Sequence, residues 1–377
     1  MSLVETDWLE KNLSTVKIVD CSWHMPQTKR NGYEEYKSLH IPHSIFFDID
    51  ENSRKDTSLP HMLVDQISWN TIVSNMGIQE NDQSAPYQRG DWWHYSRTEE
   101  GKAYRIYCRK KQSLDAAEEV ILDENELAEG QEYFSTNSVK LNPSQTYIAW
   151  TQDLDGGEQF ELFVKDLRTG EIDSNRITGL KWSLAWGDDH TLFYTKGDKA
   201  ERPYQIWRRR VGTAATDDVL VWEEPDERFF LGVGRSRNGR YVVLSCSSKI
   251  TSEVRLIDTD DIDEKPRVVL PREQGVEYSV AIGERDIFIR SNKNAVNFQL
   301  LRLKGNQTEV LIAHDPETML GDIDAFENWL VLWEKHDGLP QVRFYSLATK
   351  QCKVLTFPDA TYDLYSDVNP DFSAGQY

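Results

Sequence analysis

The residues best suited to chemistry are Cys21, His40, His43 and Ser236, and each is read from its neighbours. Cys21 closes the apolar run "VKIVDCSW". A reactive thiolate needs cations or converging backbone N–H groups to lower its pKa, and neither is written around Cys21, which points to a structural role. His40 and His43 have the H-x-x-H spacing of a metal pair, but Ile41 and Pro42 between them suit a turn. No acidic or cysteine partner lies at ligand spacing. Ser236, in "GRSRNG", is the nearest approach to a G-x-S-x-G nucleophile elbow. Arg237, Asn238 and Gly239 break the spacing, and "YVVLS" after them reads as a strand where an elbow needs a helix. The stretch reads as a turn opening a hairpin. For the same reason the glycines of "GVGRSRNG" fail as a dinucleotide fingerprint. The expectation is a chain with no catalytic, cofactor-binding or metal-binding residue of its own.

Charge supplies the next candidates. The formal net charge of −20 disfavours nucleic acid and anionic membrane surfaces as partners and makes basic ligands the natural counterpart of an otherwise solvated acidic surface. Glu223/Glu224, Asp226/Glu227 and Asp260/Asp261 could line a funnel for basic peptides, although most lie in inter-strand loops where charge meets water. The "RRR" at residues 208–210 alternates faces on a strand, so it faces solvent or acidic neighbours and makes no nucleic-acid patch. "MSLVETDWLEKNL" has no apolar h-region, and no run reaches membrane-spanning length. Cys21, Cys108, Cys246 and Cys352 are far apart, without CxxC spacing. A cytoplasmic protein with reduced thiols is expected.

Two kinds of element must position these residues. Up to about residue 78, helices alternate with short apolar strands. A helix falls in "VETDWLEKNL", a strand in "VKIVDCSW", a helix over 33–39, a strand over 44–48, and a helix in "VDQISWNTIVSNMGI" with Ile67, Ile72, Val73 and Met76 at helical spacing. Alternation of this kind argues for a parallel sheet with covering helices. The apolar strand residues Ile18, Val19, Ile45 and Phe46 then need cover.

From Arg89 on, a four-strand period of forty to fifty residues takes over. Second strands read "WWHYS" at 92, "YIAWT" at 147, "LFYTK" at 192, "YVVLS" at 241, "IFIRS" at 287 and "LVLWE" at 330. Third strands follow each of them, from "YRIYCRK" at 104 to "QVRFYSL" at 340. Fourth strands read "EEVILD", "DVLVWEE", "PRVVLP", "TEVLIAH" and "KVLTFP". With turns such as "NPSQ", "RNGR" and "HDGLP" between them, this is the signature of β-propeller blades. The fold expected is mainly β: a seven-bladed-type propeller of six full blades and a partial seventh at "TYDLYSDVNPDF", preceded by a small incomplete α/β segment.

Both parts resemble known families. "KIVDCSWHMP", "KRNGYEEYKSLHIPHSIFFDID", "SLPHML" and "SNMGI" resemble the first half of the N-terminal rhodanese domain of thiosulfate and mercaptopyruvate sulfurtransferases. "SAPYQRGDWWHYSRTEEGKAYRIYCRKK", "ELAEGQEYFS", "VKDLRTGE", "RPYQIWRRRVG" and "VLVWEEPDERFFLGVGRSRNGRYVVLSCSSKITSEVRLID" resemble the propeller of oligopeptidase B, a prolyl oligopeptidase-type serine peptidase. The second resemblance implies a propeller that caps an α/β-hydrolase domain and admits only short peptides, cut after Lys or Arg. It also implies a Ser-Asp-His triad lying beyond Tyr377, so that the chain is inactive alone. Domains of 1–78 and 79–377 follow, with short basic peptides and a catalytic α/β-hydrolase domain as partners. A natural fusion or truncation, or a product of sequence assembly, would each give such a junction. Sulfurtransfer through Cys21 and a non-catalytic peptide-binding or protein-binding module are the alternatives.

Overall fold

The computed structural model describes residues 6–13, 16–57, 59–76, 81–357, 362–366 and 368–375. It divides into two compact units, one of Met1–Pro86 with Trp92–Leu127 and one of Tyr87–Asp91 with Ala128–Tyr377.

In the first unit, Val19–Asp20 and Ile45–Phe46 pair in parallel, Val19 opposite Ile45. The helix Gly32–Ser38 starts where the Asn31 side chain accepts the Glu34 N–H at 2.9 Å. The helix Gln66–Asn75 starts likewise on Asp65, which accepts from the Ser68 amide at 3.0 Å. Tyr33 and Tyr36 lay their rings on Phe46, with centroids 5.2 and 5.3 Å away. Ile18, Val19, Ile45 and Phe46 are only half-buried, as two strands of two residues cannot enclose a core. The same unit carries Trp92–Arg97, Ile106–Lys111 and Glu118–Asp123, antiparallel in sequence order around Tyr95, Ile106 and Cys108.

The second unit contains the strand Tyr87–Arg89, a seven-stranded sheet that makes up blade two (Ser135–Leu141, Tyr147–Asp153, Phe160–Asp166) and blade three (Thr191–Gly197, Pro203–Arg210, Val219–Glu223) with Ile177–Trp186 between them, and three four-stranded sheets, blades four to six. Blade four is Phe230–Arg235, Tyr241–Ser247, Ser252–Asp258 and Arg267–Val268; blade five is Tyr278–Ile282, Ile287–Ser291, Gln299–Lys304 and Gln307–Ile312. Blade six is Thr318–Ala325, Trp329–His336, Leu339–Ser346 and Cys352–Val354. Apolar residues on facing sheets fill the seams: Phe193, Ile206 and Trp222 of blade three meet Leu231, Val242 and Leu244 of blade four. A blade is therefore stabilised mainly by its neighbour, as in other repeat architectures.

Blades two and three depart from the expected pattern because one strand serves both. Ile177–Trp186 pairs at Ile177 and Leu180 with Leu162 and Phe160, then at Leu184, Ala185 and Trp186 with Tyr194, Phe193 and Leu192. The register shifts on either side of Leu180, next to Gly179 at φ 74°, a left-handed backbone that glycine adopts without strain. The result is a continuous seven-stranded sheet. The fourth strand of blade two, missing from the sequence reading, is the first half of this shared strand.

The stretch expected to begin a seventh blade forms no strand among its described residues; it lies against blade six instead. The Glu327 amide donates to the Phe372 carbonyl at 2.9 Å and Trp329 Nε1 to the Ala374 carbonyl at 3.0 Å. Leu364 and Ala374 pack on the cluster of Phe326, Val331 and Val342. Backbone groups satisfied in this way are withdrawn from any ladder.

Candidate functional site

The first strand of each of blades four to six is a sheet edge, as is Ser135–Leu141 of blade two. Together with the second half of Ile177–Trp186, these strands line one cavity of about 1090 Å3. It lies wholly within the second unit, and its walls alternate hydroxyls such as Ser138 and Ser183 with apolar side chains such as Val280 and Ile282.

The hairpins leaving these strands are held to one another. Asn142 is fully buried: its Oδ1 accepts from the Thr146 and Tyr147 amides at 2.8 and 2.9 Å, while Nδ2 donates to the Asp189 carbonyl of the next blade at 3.2 Å. Asn238 repeats the device between blades four and five, donating to the Gly283 carbonyl at 2.9 Å. Trp186 Nε1 ties back to the Lys140 carbonyl at 2.9 Å. From the blade-four hairpin Arg237 reaches Asp324 on the first strand of blade six at 2.6 Å, lies over the Phe326 ring at 4.3 Å and donates to the Asn369 carbonyl at 3.0 Å.

The residues singled out from the sequence are scattered. Cys21 is exposed beyond the end of Val19–Asp20, and no cation or N–H cradle reaches it among the described residues. His40 Nδ1 faces the Tyr36 carbonyl at 2.8 Å, with the two rings stacked at 4.4 Å, while His43 is exposed at φ 66°. Among the described residues no cluster of three metal-ligating side chains forms. Ser236 does open the blade-four hairpin: its hydroxyl donates to Asn238 Oδ1 at 2.8 Å and accepts the Tyr241 amide at 3.0 Å. Among the described residues a hydroxyl, imidazole and carboxylate succession occurs at Thr318, His336 and Asp337. It sits at an exposed hairpin with His336 Nε2 3.6 Å from Asp337, too long for a hydrogen bond that would orient the ring.

The acidic pairs do not line the cavity. Glu224 is buried and takes Arg272 Nη2 at 2.6 Å; burial pulls its carboxyl upward, but Arg272 and the Asp226 amide outweigh that and hold it below the usual range. Glu223 is exposed and Asp226 pairs with Arg228 at 2.7 Å. Asp260 and Asp261 close a turn on Asp258. Each member of the "RRR" run has an acidic partner: Arg208 and Arg210 reach Asp263 at 2.8 and 2.9 Å, and buried Arg209 reaches Asp218 at 3.1 Å.

The family described as prolyl oligopeptidase, N-terminal beta-propeller domain, matches residues 70–376. The chain belongs to that family. It is 34% identical over 278 residues to Protease 2 of Moraxella lacunata, covering 70% of this chain and 40% of that one. Oligopeptidase B from Trypanosoma brucei, in a closed form with covalently bound antipain, superposes with a TM-score of 0.71 at 28% identity, covering 78% of this chain and 46% of that one. This propeller chain thus spans less than half the length of those relatives. Over 87 residues the chain is also 42% identical to thiosulfate/3-mercaptopyruvate sulfurtransferase 1, mitochondrial, of Arabidopsis thaliana, covering 22% of this chain and 23% of that one.

The propeller strands are legible in the sequence, and of its candidate residues Ser236 lies in the cavity wall beside Arg237, Asn238 and Gly239, whereas Arg89, Lys140 and Asp324 carry no signal there. The turns "NPSQ" and "RNGR" each contain the asparagine, Asn142 or Asn238, that fastens one blade to the next.

Proposed function

We propose that the chain is the substrate-gating, non-catalytic propeller portion of an oligopeptidase B-like serine peptidase acting on short peptides with basic residues, extended by a sulfurtransferase-like segment near residues 1–78. The observation that carries the reading is the cavity of about 1090 Å3 between the first strands of successive blades. That size suits an extended short peptide and excludes a folded domain, since pockets for small ligands run to about 1,000 Å3. Arg89, Lys140, Arg235 and Arg237 line it against Asp324 alone, so its charge offers nothing to a Lys or Arg side chain. The basic preference is therefore assigned to a separate α/β-hydrolase domain carrying Ser, Asp and His, which this chain gates.

The test is hydrolysis of an arginyl-amide peptide by the full chain alone, by a separately produced oligopeptidase B hydrolase domain, and by their mixture. The reading expects no turnover by the chain alone, and in the mixture a fall in cleavage of long substrates with short ones spared. Turnover by the purified chain alone would overturn it.

A further inference from the structure

The lumen carries a charge opposite to that of the chain. In a protein of formal net charge −20, four cationic side chains and one carboxylate line the cavity. Asp324 is taken by Arg237 and by Trp333 Nε1 at 2.9 Å. Arg89 and Arg235 are different. Arg89 donates from Nη1 and Nη2 to the Leu141 and Asn142 carbonyls at 3.4 and 3.1 Å, and Arg235 from Nε and Nη2 to the Gly239 carbonyl at 3.2 and 2.8 Å. Among the described residues neither has a carboxylate within ion-pair distance. A carbonyl satisfies an N–H but leaves the cation uncompensated, and a guanidinium has five N–H groups, so each fork keeps donors to spare.

Both guanidiniums line the same cavity. Burial and the charge of Arg89 lower the proton affinity of Arg235, Asp189 and Asp188 raise it, and Asp189 does the same for Arg89. Asp189 is already committed, accepting from the Ser144 amide and Asn142 Nδ2 at 2.7 and 3.2 Å. Gly239, at φ 76°, sets the position of the Arg235 fork, because a Cβ there would stand 3.2 Å from Nη2. Two half-buried guanidiniums that line one cavity, each fixed by main-chain carbonyls with donors to spare, are the arrangement an oxyanion completes.

We propose that Arg89 and Arg235 form an oxyanion site in the channel that takes the C-terminal carboxylate of a short peptide. This rests on the reading that the channel admits peptides. A free phosphate is the other source of the same chemistry, and the experiment separates them.

Titration calorimetry on the full chain would compare trialanine as the free acid, trialanine amide and inorganic phosphate. The free acid binds at least tenfold more tightly than the amide, and Arg89→Gln or Arg235→Gln abolishes that difference. Arg235→Lys, which keeps the charge and guards against a folding defect, retains part of it, and Arg228→Gln, outside the cavity, changes nothing. Equal binding of acid and amide overturns the oxyanion site and leaves the peptide channel standing. Phosphate binding that depends on Arg235, with neither peptide bound, keeps the site and removes the channel reading. If neither phosphate nor the free acid binds, the inference is wrong.

Discussion

Arg237 and Asp324 meet at 2.6 Å although they belong to blades four and six, with blade five between them in sequence. The pair is about four-fifths buried, and Arg237 also holds the Asn369 and Ala325 carbonyls. It forms part of the lumen wall on the side of the hairpins and fastens the segment around Asn369 to them.

A double-mutant cycle of Arg237→Ala and Asp324→Asn should give a coupling of about 1 kcal/mol, the upper end for pairs that are not fully desolvated. Limited proteolysis should cut residues 368–375 faster in Arg237→Ala than in the parent. Coupling near zero with unchanged cleavage would show that the segment is held by blade six alone.

Asn142 should be among the costliest single positions. Asn142→Ala removes six side-chain hydrogen bonds and leaves the Thr146 and Tyr147 amides without acceptors. A loss of about 2–3 kcal/mol is expected from leaving buried donors unsatisfied. Denaturant unfolding measures it; a change under about 0.5 kcal/mol, the scale of neutral surface substitutions, would contradict the assignment.

Acid should weaken the propeller through Glu224. Its folded pKa lies below the unfolded value, so its contribution is present above the unfolded pKa and is lost as pH falls through the folded one. The window opens below about pH 4.3, the ordinary value for glutamate. Glu224→Gln should melt earlier than the parent at pH 7, and the gap should narrow as pH drops through 4. A gap that stays constant with pH would mean that Glu224 acts by shape.

Thiol titration of the native protein should find two fast cysteines, Cys21 and Cys352, which are exposed. Cys108 and Cys246 are buried, and burial pushes their pKa values up to about 11 and about 12. They should react only on unfolding. A fast third thiol would mean that one of these blades opens readily.

The strands were legible because aromatic and β-branched residues recur with the period of a four-stranded blade; "YIAWT", "LFYTK" and "LVLWE" all lie where expected, in Tyr147–Asp153, Thr191–Gly197 and Trp329–His336. Ile177–Trp186 was not legible as two half-strands, because the change of partner occurs inside one apolar run and is marked only by Gly179. The lumen was not legible either. Arg89 is distant in sequence from Arg235 and Arg237, and a cation at the end of a strand looks the same whether it faces water or a channel. The buried role of Glu224 was hidden for a related reason: alternation places it on one face but says nothing of Arg272 waiting there.

The shared strand Ile177–Trp186 bears on motion. Any widening of the lumen requires sheets to part, and seams held by side chains and single main-chain bonds, such as the Leu320 amide to the Asn297 carbonyl at 2.9 Å, can slide or hinge at modest cost. Between blades two and three separation would instead tear main-chain ladders on both sides of Leu180. That sector should behave as a rigid jamb, leaving any breathing of the lumen to the joints between blades three, four, five and six.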